Sequence, residues 1–169
     1  MKYARIERER RYLLVIPPSD LDLADQHTRI HDLYIPNTRL RLRRMEDQDG
    51  NLTACKFTQK FSPPEGTGLE TIITNIYLNE TEYQALSCLQ GKWLIKRRYK
   101  YPFLSRNYAI DIFEGALEGL ILCEIEFDEH TASQLIELPS FATREVTHDP
   151  FFTGGHLVHL TFADIQNLS

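Results

Sequence analysis

Cysteine is scarce in this chain of 169 residues: Cys55, Cys88 and Cys123 are odd in number and widely spaced. That excludes a disulfide framework and any CxxC zinc or redox motif, and three unpaired thiols suit a reducing cytoplasm. They are read as core or inert groups, because a free thiol packs like a small hydrophobe. Long apolar runs are missing too. The longest, such as Gly119 to Cys123, fall far short of a bilayer span, and the charged stretch Met1 to Arg11 has no signal-type apolar core behind it. Neither membrane insertion nor secretion is expected. Positive charge is not in excess: 19 Lys+Arg stand against 24 Asp+Glu, a formal net charge of -5. A protein that coats nucleic acid through general electrostatics is thereby excluded as an expectation.

Nucleotide and nucleophile loops are lacking as well. No GxxxxGK[ST], GxGxxG or GxSxG follows a strand, so Gly66-x-Gly68 and Gly154-Gly155 read as turn or loop glycines. Zinc spacing is absent: His27 and His31 lack a third ligand, and His156 and His159 have no Cys or Glu at ligand distance in sequence. Trp93 and Phe103 read as core or rim residues, and Arg97 points away from Arg98, which divides the basic run there.

What remains is ordinary globular composition, 42% hydrophobic and 25% charged, in a length that suits one domain spanning residues 1–169. Most of the chain follows period two in runs bounded by Pro, Gly, Asn and Asp, so the fold class is mainly β (α+β). The runs are Tyr3–Val15, Thr38–Met45, Leu52–Phe61, Glu70–Leu78, Trp93–Tyr101, Tyr108–Phe113, Leu120–Phe127 and a shorter one near Thr143–Val146. Asp49-Gly50 predicts a type I′ hairpin turn, and Gly115 with Gly119 brackets a second hairpin. Asn79 or Thr81 caps a helix through Cys88. Further helices are expected over Thr131–Ile136 and in the tail from His156, with Pro17–Thr28 a loop or short helix. Eight mostly sequential strands suggest an antiparallel barrel.

Alternate residues of a strand share one side, and here that side is charged in blocks. It carries Glu7, Glu9 and Arg11; then Arg39, Arg41 and Arg43; then Lys56, Thr58 and Lys60; then Lys96, Arg98 and Lys100; then Glu124 and Glu126. A solvated face over a sandwich core is one reading. The other is a closed barrel with a charged lumen, because a solvated face normally intersperses signs and like charges held together cost energy unless a ligand compensates them. Paired carboxylates suit a hard divalent cation and rows of Arg and Lys suit a polyanion, a combination that points to phosphates.

The same residues resemble a known family. Glu7-Arg8-Glu9-Arg10-Arg11 is similar to the ExExK signature that opens CYTH domains, the family of class IV adenylate cyclases and thiamine or inorganic triphosphatases. Thr38 to Arg43 resembles its alternating arginine strand and Lys96-Arg97-Arg98-Tyr99 its Lys-x-Arg-Tyr strand. Asp111 to Gly115, Glu124 to Phe127 and Arg144 to Asp149 follow in the family's order. The resemblance implies a closed eight-stranded antiparallel tunnel with a few peripheral helices, holding a triphosphate and Mg²⁺ or Mn²⁺. By position Glu7, Glu9, Glu124, Glu126 and Asp111 match the metal carboxylates. Arg11, Arg39, Arg41, Lys60, Arg98 and Arg144 match the phosphate-binding cations, and Lys96 with Tyr34 the catalytic lysine and its tyrosine.

Two departures stand out. Arg11 replaces the usual lysine, and Thr71, Ile73 and Asn75 stand where many members carry glutamates. The implied activity is hydrolysis of a short triphosphate, inorganic tripolyphosphate or an organic one such as thiamine triphosphate. The alternatives are a cyclase making cyclic AMP from ATP and a non-catalytic polyphosphate or nucleotide sensor. The expected partner is a small triphosphate-containing molecule, with neither nucleic acid nor membrane and with room for a homodimer.

Overall fold

The period-two runs pair in a single sheet. In the computed structural model, which describes residues 3–63, 69–128 and 136–167, nine strands appear. They are β1 (Arg5–Leu14), β2 (His27–Tyr34), β3 (Leu40–Glu46), β4 (Leu52–Phe61), β5 (Glu70–Leu78), β6 (Lys92–Phe103), β7 (Arg106–Phe113), β8 (Ile121–Phe127) and β9 (Arg144–Glu145). Every pairing is antiparallel, in the order β5-β4-β3-β2-β6-β7-β8-β1-β9. Closure comes from β1. Its first residues pair with β5, from Arg5 opposite Ile73 to Arg8 opposite Glu70, while Arg8 to Leu14 pair with β8. Eight strands thus form a closed barrel, and β9 lies beside Tyr12 and Leu13 as an extra strand. Closure removes the open edges that a sandwich would leave.

The sequence expectation of eight barrel strands is right in number and wrong in one member. The run near Thr143–Val146 is β9, outside the closed ring, and the missing strand is β2. The reason is visible in its residues. Ile30, Asp32 and Tyr34 alternate with Arg29, His31 and Leu33, so both sides of β2 mix apolar and polar groups and the period-two signal cancels. The Asp49-Gly50 hairpin is present, but only Gly50 has positive φ (83°). Instead of a two-residue turn, Asp47 to Asn51 form a longer loop in which the Asp47 carboxylate accepts the Asp49 and Asn51 amides. The two-residue turn occurs where it was not expected, at Leu104 (φ 45°) and Ser105 (φ 61°) between β6 and β7.

Three apolar clusters hold the barrel. Outside it, Tyr12, Tyr99, Tyr108, Ile110 and Cys123 are covered by Leu21, Ile136 and Phe141. Leu33, Leu42 and Cys55 lie under Tyr83 of α1 (Glu80–Leu86), which Asn79 and Glu82 close with a reciprocal capping box. The third cluster fills one end of the barrel itself. There Leu94, Phe113 and Leu122 meet Phe152 and Leu157 of the C-terminal segment, which contains α2 (Gly154–Leu157) and α3 (Phe162–Gln166). Phe152 and Leu157 are each 1% exposed, and burying each contributes about 2 kcal/mol. The tail helix expected from His156 is thus α2 and α3, and Gly154-Gly155 opens α2 rather than a loop. The helix expected over Thr131–Ile136 lies outside the described residues except for Ile136, as do Gly66 and Gly68. Among the described residues no helix is long and apolar enough to cross a membrane.

Candidate active site

Side chains of one strand parity point into the barrel and line a cavity of about 780 Å³. Its floor is the segment around Thr147 to Leu157, which the third apolar cluster seats against the barrel end. The walls are polarised. Arg39, Arg41 and Arg43 with Lys56 and Lys60 stand on the β3 and β4 side, while Glu7 and Glu9 of β1 lie beside Glu124 and Glu126 of β8. Lys96 and Arg98 of β6 also line the cavity. The charge blocks that alternation placed on one side of each strand are therefore gathered in one lumen, except for Lys100, which is exposed at the far part of β6, and the neutral Thr58, which is buried off the cavity.

Buried aspartates organise the cations. Asp32, 1% exposed, accepts Arg43 Nε and Nη2 at 2.7 Å each, and Arg41 Nη1 lies 3.5 Å away. Burial by itself would raise this carboxyl, yet Arg41 and Arg43 hold it well below the usual carboxylate range. Asp111, 0% exposed, accepts Arg98 Nε and Nη2 at 2.6 Å and also bonds Lys96 Nζ. Burial first, then the charges of Arg98 and Arg43, push the Lys96 amine below the ordinary lysine range against the pull of Asp111. Glu124 bonds Arg98 and accepts Arg11 Nε at 3.1 Å; burial opposes its ionisation, but Arg98, Lys96 and Arg11 keep it well below the normal range.

The acidic wall is partly engaged by its own arginines. Glu7 bonds Arg5, Glu9 bonds Arg11, and Lys60 Nζ lies 3.8 and 3.6 Å from Glu7 and Glu9. Glu126 is the most open of the four glutamates, directly across from Glu9, and partial burial followed by the charges of Glu7 and Glu9 raises its carboxyl above the ordinary range. Among the described residues no three His, Cys, Asp or Glu side chains converge as they stand to hold a metal ion. Arg39 lies over the Phe61 ring at 4.4 Å. Between β4 and β5 the wall is neutral: Thr58 donates to Asn75 Oδ1 at 2.7 Å beside Thr71 and Ile73.

Most residues singled out in the sequence come together here: Glu7, Glu9, Arg11, Tyr34, Arg39, Arg41, Lys60, Lys96, Arg98, Glu124 and Glu126 all line the cavity. Two do not. Asp111 is enclosed behind Lys96 and Arg98 as their counter-ion, off the cavity wall. Arg144 sits on β9 with its guanidinium 5.3 Å over the Phe152 ring, so it touches the floor from outside. Sequence reasoning missed Asp32, Arg5 and the floor. Asp32 belongs to the one barrel strand without a period-two signal, and the floor is assembled only when the chain end folds back.

No protein-family model matches the chain. A stretch of 63 residues, 37% of this chain and 39% of the relative, is 38% identical to an inorganic triphosphatase of Acetivibrio thermocellus, so the match spans about two-fifths of that relative's length. The barrel is similar to the solved structures of NE1496, described once as a hypothetical protein and once as an inorganic triphosphatase. In both comparisons the TM-score is 0.59 with 24% identity over 90% of this chain, covering 96% and 93% of those chains. It also resembles PH1819 from Pyrococcus horikoshii OT3, with a TM-score of 0.50 and 16% identity over 76% of this chain and 81% of that one. These likenesses show the fold: a closed tunnel barrel of the kind solved for NE1496.

Proposed function

We propose that the lumen binds a short triphosphate and hydrolyses its terminal anhydride, with inorganic tripolyphosphate as the first substrate, and that residues 1–169 form one CYTH-type tunnel unit. The observation that carries this reading is the opposition of cationic and carboxylate walls within the cavity of one closed barrel. The stretch shared with the Acetivibrio inorganic triphosphatase supports it. The unpaired thiols Cys55, Cys88 and Cys123 suit a reducing cytoplasm.

Phosphoryl transfer asks mainly for positioning and charge neutralisation. Arg39, Arg41, Lys60 and Arg98 approach the lumen from three strands or their ends, so they grip the phosphates from several sides. Lys96, its amine pushed toward the neutral form, takes the proton of the attacking water as the water oxygen bonds phosphorus and the bond to the leaving diphosphate breaks. Tyr34 Oη accepts Arg41 Nη1 at 3.4 Å, which leaves its own hydrogen free to donate into the cavity. The chemistry of the acidic wall fits a hard divalent cation, because Glu7, Glu9 and Glu126 crowd closely enough to raise Glu126. Glu7, Glu9, Glu124 and Glu126 would hold Mg²⁺ or Mn²⁺ once Arg5 and Arg11 yield their carboxylates. Such an ion supplies neutralisation of the phosphate oxygens.

A substrate panel tests the reading. Tripolyphosphate, thiamine triphosphate and ATP are each incubated with Mg²⁺ or Mn²⁺, and phosphate and cyclic AMP are measured. Phosphate release fastest from tripolyphosphate is expected. Cyclic AMP from ATP would replace the hydrolase by a cyclase, and binding without turnover of any substrate would replace it by a sensor.

A further inference from the structure

Tyr34 is held at both ends by residues that have no side chain. Its main chain closes the β2 pairings, opposite Arg41 on one edge and Lys92 on the other. A Cβ on Gly91 would fall 2.4 Å from the Tyr34 carbonyl oxygen. At the other end the ring packs in the floor cluster and the hydroxyl meets Arg41 Nη1 at 3.4 Å. Against that hydroxyl lies the main chain of the floor: a Cβ on Gly154 would stand 2.0 Å from Tyr34 Oη and 2.9 Å from Cζ. Real Cβ atoms do not approach so closely, so a hydrogen at residue 154 is the condition for this hydroxyl to stand where it does. The neighbouring glycine is different in kind, since a Cβ on Gly155 would meet nothing within 4 Å.

Gly154 is itself fixed from two sides. Phe152 and Leu157, both 1% exposed, anchor the segment among Leu94, Phe113 and Leu122. Thr153 donates to the Pro150 carbonyl at 2.8 Å, which ties the start of α2 to the preceding turn. The floor is therefore a rigid stop. The Arg41 guanidinium on one side and the residue 154 main chain on the other bound the hydroxyl in the lumen.

We propose that Gly154 is a positioning residue, through which the C-terminal floor sets the Tyr34 hydroxyl against Arg41 for turnover of the triphosphate. This rests on the triphosphatase reading of the lumen. The floor then acts through Tyr34 rather than as a passive plug.

The test compares Gly154→Ala, Gly155→Ala, Tyr34→Phe and the double variant Gly154→Ala/Tyr34→Phe by thermal unfolding and by tripolyphosphate hydrolysis with Mg²⁺. Gly155→Ala should keep the wild-type melting temperature, because its Cβ meets nothing within 4 Å. Tyr34→Phe should lower kcat. Gly154→Ala should lower the melting temperature and reduce kcat tenfold or more while KM stays within about twofold. The double variant should regain a clear part of the melting temperature and have the kcat of Tyr34→Phe alone, because removing the hydroxyl removes the 2.0 Å contact and leaves only the 2.9 Å approach to the ring carbon Cζ. If Gly154→Ala does not fold by itself, recovery of folding in the double variant is the same result. An equal loss of melting temperature in both backgrounds overturns the inference, as does a further loss of kcat beyond Tyr34→Phe or an effect on KM alone. Absence of turnover in the wild type overturns the triphosphatase reading, and the unfolding comparison still decides the Gly154 contact.

Discussion

At the scale of single residues, the decisive competition is between burial and charge pairing. Lys96 loses water on entering the barrel and gains Asp111, and burial is the stronger influence on its amine. A lysine base must be neutral, so the rate should rise with pH and level off below the ordinary lysine value of 10.5. Lys96→Arg should then reduce kcat by about a hundredfold or more with binding of tripolyphosphate retained, because arginine does not give up its proton usefully. Full turnover of the arginine variant at saturating substrate would make Lys96 a phosphate clamp instead. The acidic wall makes a separate claim. Glu9→Gln and Glu126→Gln remove ligand charge with little change of volume, so metal-dependent hydrolysis should be lost while circular dichroism stays that of the wild type. Near-normal metal-dependent activity in both variants would remove those carboxylates from the site.

Among the elements, the β6–β7 hairpin carries local strain that its sequence does not relieve. Leu104 and Ser105 take φ of 45° and 61°, the left-handed region that Asn and Gly enter more readily. Leu104 is also 80% exposed, so its side chain gains little from packing. Leu104→Asn with Ser105→Gly should stabilise the chain by about 1 kcal/mol, a rise in melting temperature of about 2–4 °C in a chain of this size, with the lumen unaffected. A lower melting temperature would show that the Leu104 side chain contributes more than its exposure suggests. The contrasting element is β2. It has no amphipathic signature, yet it stands between β3 and β6, brings Tyr34 to the lumen and sets Asp32 as the buried counter-ion of Arg41 and Arg43.

For the whole molecule, stability should depend on acidity through the carboxylates that hold the cations together. Asp32 and Glu124 both have folded-state values below their ordinary ones of 3.8 and 4.5. A carboxyl lowered by folding stabilises the folded state fully above its unfolded value and loses that contribution as pH falls through the folded one. The melting temperature should therefore fall steadily from about pH 4 downward. Asp32→Asn should cost about 3 kcal/mol at neutral pH, since it leaves two arginines without their buried counter-ion, and its acid dependence should be shallower than that of the wild type. An acid profile that is unchanged in this variant would show that Asp32 is not what holds the cationic wall together.

The sequence by itself determined the strand class, most strand boundaries and the inward set of charges, because i, i+2 spacing is a local property that survives whatever the strands pair with. Glu7 with Glu9, Arg39 with Arg41, and Lys96 with Arg98 could be placed on one side of a strand without knowing what lay opposite. Tertiary structure decided what local pattern cannot encode. It decided that β1 closes on β5 rather than leaving two sheets. It gave the mixed strand β2 a place in the wall, set Asp111 behind the cations rather than on the cavity surface, and put Arg144 outside against Phe152. It also seated Gly154 against a hydroxyl 120 residues earlier in the chain. Each of these depends on contacts between segments far apart in sequence, where pairing, close packing and burial fix the outcome rather than the preference of any one stretch.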